Sequence, residues 1–300
     1  MVKPNFFVVG AAKSGTTAMC DYLARHPDIF IPDEKEINFF GSDMPVRVPR
    51  LTEEQYLAWF FSSAGDESRV GDGSVWYLYT RKAAEEIRTW APDARILIML
   101  RNPVDAMYSL HSQLLYNGDE VIPDFEEALE AEEDRKAGRR LPPKVSFPQM
   151  LLYREITRYA DQVGRFLDAF GQDQVKVVLF DDFVADTASV YRSTLEFLGV
   201  DSKFVPRFQV VNPNKNVRSR GIQNFLKRPP AWVRRLGRTF LPEHEYRGRL
   251  RRRMMAFNTR FRGRDRLDPA LRQRLVDECD PDVRRLGDRI GRDLSAWSAP

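Results

Sequence analysis

Twelve residues near the N-terminus, Phe6-Phe7-Val8-Val9-Gly10-Ala11-Ala12-Lys13-Ser14-Gly15-Thr16-Thr17, restrict this chain more than any other stretch. Four consecutive apolar residues, two of them β-branched, read as a short strand buried on both faces. Gly10 opens a turn, and Gly15 lets the backbone turn tightly and approach a ligand closely. From Thr16 the period becomes helical: Ala18, Met19, Tyr22 and Leu23 share a face, and His26-Pro27 ends it. The result is strand, glycine-containing loop, helix. Free N–H groups at that helix start, at the positive end of its dipole, suit an anion such as a phosphate. Lys13 adds a full charge, and Ser14, Thr16 and Thr17 add hydroxyls.

Gly10 and Gly15 have the spacing of the nucleoside-triphosphate loop G-x-x-x-x-G-K-[ST], but Thr16 stands where that loop has lysine, and the lysine sits earlier, at Lys13. A second strand pattern, Arg95–Leu100, ends in Arg101-Asn102-Pro103. Pro103 is suited to open a helix, and Arg101 falls at the carboxyl end of a strand, where open α/β sheets bind ligands. Ser109 lies two turns further on, within reach of the same phosphate. The plain structural alternatives are a strand-end salt bridge for Arg101 and a solvated Ser109.

With these two segments the chain resembles the sulfotransferases that use 3′-phosphoadenosine-5′-phosphosulfate (PAPS), in their bacterial and Golgi carbohydrate-type branch, which includes the heparan sulfate enzymes. In that family a K-x-G-T-T loop holds the 5′-phosphosulfate, matched here by Lys13-Ser14-Gly15-Thr16-Thr17. An R-[ND]-P-x(5)-S segment holds the 3′-phosphate, matched by Arg101-Asn102-Pro103 through Ser109. The resemblance covers nearly the whole chain. It also assigns Glu36, within Lys35-Glu36-Ile37-Asn38-Phe39-Phe40, as the base that deprotonates the acceptor hydroxyl, matching K-E-x-[HN]-F-F. A carboxylate beside aromatic residues is partly desolvated, which raises its pKa toward the range of a useful base. Glu34 and His111 are the nearest rivals. The resemblance further implies a basic loop that closes over the 3′-phosphate, with Lys215 and Arg218 as its donors. Two departures bear on the substrate. Asn38 stands where heparan-type relatives have histidine, and Gly73, in Asp72-Gly73-Ser74-Val75-Trp76-Tyr77, stands where they have a lysine.

Other classes of function are set aside by composition. The two cysteines, Cys20 and Cys279, lack C-x-x-C spacing, and the three histidines are far apart, so the sequence supplies no metal site. No positive, then apolar, leader pattern begins the chain and no run approaches a membrane span, which reads as cytoplasmic. The formal net charge is only +4, but arginine crowds the stretch from Lys215 to Arg266. Such a patch attracts an anionic substrate, a membrane surface or nucleic acid, or is simply a solvated face. A nucleic-acid module leaves the two phosphate motifs unexplained, so nucleic acid is not expected as a partner. A nucleotide-dependent kinase would share the first loop and would use Asp72 to hold Mg²⁺, but Thr16 counts against it.

The remaining pattern predicts strands at 28–32, 69–74 and 174–180, and helices at 51–68, 80–90, 124–134, 150–170 and 187–198, followed by a tail of two helices and a terminal tryptophan. The second strand is expected beside the first. The fold expected is one three-layer, P-loop-like α/β domain over residues 1–300, a central parallel sheet flanked by helices. Residues 117–148 form a mobile insertion bordering the acceptor site, and a basic helical part starts at 212. The function expected is sulfuryl transfer from PAPS to a hydroxyl of a carbohydrate or glycoconjugate, with no metal, giving a sulfate ester and 3′,5′-ADP. Sulfation of a lipid or secondary-metabolite hydroxyl, or a P-loop phosphotransfer, are the alternatives.

Overall fold

A computed structural model describes residues 2–45, 49–143, 145, 147–209, 215–217, 259–261 and 266–299. The chain divides into two compact units. The first comprises Met1–Met107, Arg154–Val211 and Asp268–Pro300, and the second Tyr108–Tyr153 and Asn212–Leu267.

The first unit is built on strands β1 (Phe6–Gly10), β2 (Ile29–Phe30), β3 (Arg69–Asp72), β4 (Arg95–Leu100) and β5 (Val175–Leu179). They form one sheet in the order β2-β3-β1-β4-β5, and every pairing is parallel. Alternation along the two central strands sends side chains to opposite faces. Phe7, Val9, Ile96, Ile98 and Leu100 join one core with Tyr56, Ile87, Val163, Phe166 and Leu286. Phe6, Val8, Leu97 and Met99 join the other with Met19, Leu23, Tyr191, Leu195 and Leu198. Both faces are thus covered, which is why the strands read as continuous apolar runs. In chain order the described helices are α1 (Thr16–Leu23), α2 (Glu53–Phe60), α3 (Ala83–Trp90) and α4 (Pro103–Asn117), then α5 (Phe125–Glu130) and α6 (Glu132–Lys136) of the second unit. After them come α7 (Tyr153–Ile156), α8 (Tyr159–Phe170), α9 (Phe180–Ala185), α10 (Thr187–Leu198) and α11 (Pro269–Ile290).

The expected three layers are present, with several local differences. β2 pairs with β3 and not with β1, because β3 takes the place next to β1 with Phe6 opposite Gly71. A side chain at Gly71 would meet the Phe6 ring within 2.2 Å, so this close strand pairing requires glycine. The amphipathic run 150–170 is not one helix. It breaks at Thr157-Arg158, where the Gln162 side-chain amide donates to the carbonyls of Glu155 and Ile156, and Asp282 accepts from the Ala160 N–H. These polar side chains replace the helical bonds that hydrophobic periodicity alone would predict. Conversely, the tail is one 22-residue helix despite Pro281, followed by a short 3₁₀ turn at Ser295–Trp297.

In the second unit the segment expected to be mobile is organised around a buried ion pair. Arg135 donates to Glu120 at 2.8 Å with both side chains fully buried. Glu120 also accepts from Tyr153 Oη at 2.6 Å and from the N–H groups of Val121 and Ile122. A buried pair needs such additional donors to offset its desolvation. Lys215 begins a two-stranded antiparallel ribbon, Lys215–Val217 with Thr259–Phe261.

Candidate active site

The loop after β1 is shaped by two residues in the left-handed region, Lys13 at φ 67° and Gly15 at φ 86°. Gly15 serves as the N-cap of α1, and a Cβ there would lie 3.0 Å from the Phe180 ring. No side chain caps α1, so the N–H groups of its first turn are left to a ligand, as an anion site requires. Ser14 is fully buried behind the loop, beside the hydroxyl of Tyr159 from α8, and neither hydroxyl makes a hydrogen bond of good geometry.

β1 and β4 are neighbours, so their carboxyl ends place Arg101 against this loop. Arg101 Nη1 donates to the Lys13 carbonyl at 3.4 Å, and its guanidinium lies 4.7 Å above the Phe180 ring. Phe180, the first residue after β5, therefore touches both anchors of the site. The adjacent Asn102 is the N-cap of α4, its side-chain oxygen accepting from Val104 and Asp105. Asn102 also donates to the carbonyl of Trp297, whose indole N–H donates to Asp181 at 2.7 Å. The C-terminal turn thus braces the start of α4.

On the other side of β1, the loop 35–40 crosses the exit of β3. Asp72 is the hub. It is 1% exposed and accepts from Tyr56 Oη and Tyr77 Oη at 2.8 Å and from Ser74 Oγ at 2.7 Å. Tyr77 Oη in turn accepts from the Phe39 N–H, and Ser74 Oγ from the Asn38 N–H. Glu36 and Asn38 both adopt positive φ, 62° and 54°. Among the described residues, three of the four non-glycine positions with positive φ are Lys13, Glu36 and Asn38, on the two site loops, and Arg140 is the fourth. Such conformations persist only where surrounding bonds over-determine them. Here the bonds are Glu36 N–H to the Gly73 carbonyl, Val75 N–H to Glu36 Oε2 at 3.1 Å, and Asn38 Nδ2 to the Glu36 carbonyl at 2.8 Å.

Glu36 as a residue is open to solvent, yet its carboxylate is closely surrounded by protein. Displacement of water pushes its pKa up to about 7, against the opposing pull of Lys35 and the Val75 N–H. It is reachable and titrates near neutrality, the two properties a general base needs. Lys35 Nζ lies 3.4 Å from Thr17 Oγ1, linking this loop to the start of α1.

The sulfotransferase domain family matches residues 3–253 of the 300. The chain belongs to this family. A sulfotransferase from Alicyclobacillus acidocaldarius superposes with a TM-score of 0.75 at 33% identity, covering 100% of both chains. The membrane-associated sulfotransferase kil1 of Dictyostelium discoideum is 32% identical over 108 residues, 35% of this chain and 22% of that protein. Human heparan sulfate glucosamine 3-O-sulfotransferase 6 is 30% identical over 121 residues, 37% of this chain and 31% of that protein. The chain thus matches less than a third of the length of these two curated relatives. PAPS is the general donor of the family.

Within this sulfotransferase fold, Lys13, Ser14, Gly15, Thr16, Thr17, Glu36 and Arg101 all lie at the carboxyl end of the sheet, around β1. Ser109 is buried on α4 in the second unit. Lys215 is placed by its backbone only, and Arg218 lies outside the described residues. Of the two rivals for the base, Glu34 is exposed, while His111 is buried in the second unit. His111 Nε2 is 2.9 Å from the Ile122 carbonyl, and its pKa is lowered by burial. Asp72, the carboxylate a Mg²⁺-dependent reading would use, is committed to three hydroxyls. Phe180 and Tyr159 belong to no motif, and Lys35 stands in the Glu36 motif without a role of its own. Phe180 could have been found by its position directly after a strand, the same argument that found Arg101. No helix among the described residues is long and apolar enough to cross a membrane.

Proposed function

We propose that this chain transfers the sulfuryl group of PAPS to a hydroxyl of a carbohydrate or glycoconjugate, releasing 3′,5′-ADP. The observation that carries the reading is the pairing of an uncapped helix start at Gly15–Thr17 with a neutral-range carboxylate, Glu36, across the Lys35–Thr17 contact. The residues fit a phosphosulfate: α1 offers N–H groups, Lys13 offers charge, and Gly15 removes the side chain that would crowd the loop. PAPS, when bound, supplies the group to be transferred and a phosphate leaving group.

In the proposed step, Glu36 takes the proton of the acceptor hydroxyl while that oxygen forms a bond to sulfur. The bond between sulfur and the 5′-phosphate oxygen breaks, and its electron pair stays on that oxygen. Lys13 and the N–H groups of α1 neutralise the charge that develops there. By analogy with phosphoryl transfer, little covalent chemistry is left to the protein beyond positioning and charge stabilisation. Arg101 and Ser109 are proposed to hold the 3′-phosphate, with Lys215 and Arg218 closing over it. A carbohydrate acceptor is supported by the similarity to a heparan sulfate 3-O-sulfotransferase, while Asn38 and Gly73 argue against the same glycan. An acceptor screen with PAPS, read by release of 3′,5′-ADP, tests the proposal. Turnover with glycans and none with lipid or small phenolic hydroxyls is expected, and turnover confined to the latter would overturn the acceptor class.

A further inference from the structure

We infer that Lys35 is a second cation of the donor site, holding the oxygens of the transferring sulfuryl group. The assignment rests on the donor proposed above and adds a residue to it.

Three observations meet at this side chain. First, Lys35 Nζ is 3.4 Å from Thr17 Oγ1, at the uncapped start of α1, while the next residue is Glu36. A group in transit between a leaving oxygen held by the loop and a hydroxyl deprotonated by Glu36 must pass between these two elements, and Lys35 spans them. Second, the ammonium is half-buried but forms no ion pair with any carboxylate among the described residues. The two acids facing it are engaged elsewhere, Asp72 by three hydroxyls and Glu36 by the Val75 N–H. A cation in this setting has donor capacity left for an anion. Third, the side chain runs over Gly73. A Cβ at position 73 would lie 3.3 Å from Lys35 Cε and 3.0 Å from Cys20 Sγ. The missing side chain is what leaves room for the lysine to reach Thr17.

The division of labour follows from position. Lys13 belongs to the loop that holds the bridging phosphate, whereas Lys35 approaches from the acceptor side. Its contact should therefore exist with PAPS and be lost with 3′,5′-ADP, which lacks the sulfuryl group. A purely structural lysine, acting as counter-ion to Glu36 and Asp72, would not distinguish the two nucleotides.

Titration calorimetry on the full chain with PAPS and with 3′,5′-ADP separates these roles without an acceptor. Lys35→Met should weaken PAPS by about 10–100-fold, the range of a lost charge-assisted hydrogen bond. Binding of 3′,5′-ADP should be retained, which also reports that the variant is folded. Lys35→Arg, which keeps the charge, should fall between wild type and Lys35→Met for PAPS. Equal loss for both nucleotides, or none for either, with wild type binding both, overturns the assignment to Lys35 alone. Failure of the wild type to bind either nucleotide overturns the donor reading and this assignment with it.

Discussion

Replacing Glu36 by Gln tests the reading where it is most exposed to refutation, because Gln keeps the size and polarity of Glu and removes only its basicity. The structure puts the Glu36 pKa at about 7, raised from 4.5 mainly by displaced water. A base must be deprotonated to act, so wild-type kcat/KM should climb with pH, reaching about a tenth of its plateau at pH 6 and about nine tenths at pH 8. A carboxylate at 4.5 would give a flat profile over the same interval. In Glu36→Gln the climb should vanish and the plateau should fall by about 10²–10⁴-fold, the usual cost of losing a general base, with 3′,5′-ADP affinity unchanged. The same shift has a thermodynamic consequence of known sign. A carboxyl whose pKa is raised on folding stabilises the protein fully below its unfolded pKa and loses that contribution as pH rises through the folded value. Wild type should therefore lose stability relative to Glu36→Gln between about pH 4.5 and pH 7. The full shift corresponds to about 3 kcal/mol, but the residue is open to solvent, and screening reduces it to about 1 kcal/mol. The assay is a pH series of initial rates by 3′,5′-ADP release, alongside thermal melts of both proteins at pH 4.5 and pH 8. A flat wild-type profile between pH 5.5 and 8, or a Glu36→Gln variant with near-normal kcat beside an inactive His111→Ala, would refute the assignment.

Lys13→Ala should lower kcat by about 10²–10³-fold, as when a charge-stabilising contact to a leaving group is removed, measured by the same assay. Wild type should bind 3′,5′-ADP more tightly than 5′-AMP, and Arg101→Ala should bring the two together in calorimetry; equal affinity in wild type would remove Arg101 from the 3′-phosphate site. In the second unit, Glu120→Ala leaves the Arg135 guanidinium buried without its carboxylate, and urea denaturation should show a loss of about 3–5 kcal/mol.

The phosphate loop and Arg101 were legible in the sequence because each is a local signal: an apolar run, then a glycine or a proline, then a helical period. Parallel strands buried on both faces expose that pattern strongly, and β1 and β4 were placed to within a residue. What was not legible depends on pairing between distant segments. Whether β2 or β3 lies beside β1 is decided by a single close approach, Phe6 over Gly71, which leaves no periodic trace. The break in the helix at 157–158 is decided by Gln162 and Asp282, polar side chains that periodicity counts only as surface.

Glu36 comes to the end of the sheet beside β1 although β2, the strand before it, is at the sheet's edge. From sequence, Glu36 is expected at the cleft because β2 is expected next to β1, but β3 takes that place. The structure reaches the same place by laying the loop 35–40 across the end of β3, the true neighbour of β1. Asp72 makes this possible. It orients Ser74 and Tyr77, whose oxygens accept the backbone N–H groups of Asn38 and Phe39. Burial pushes the Asp72 pKa up, while its three hydroxyl donors pull it down. The acid that a Mg²⁺-dependent kinase would use is thus a positioning residue for the proposed base, Glu36. Its removal should act on kcat through the placement of Glu36 while leaving the loop at Lys13, and the binding of 3′,5′-ADP, intact.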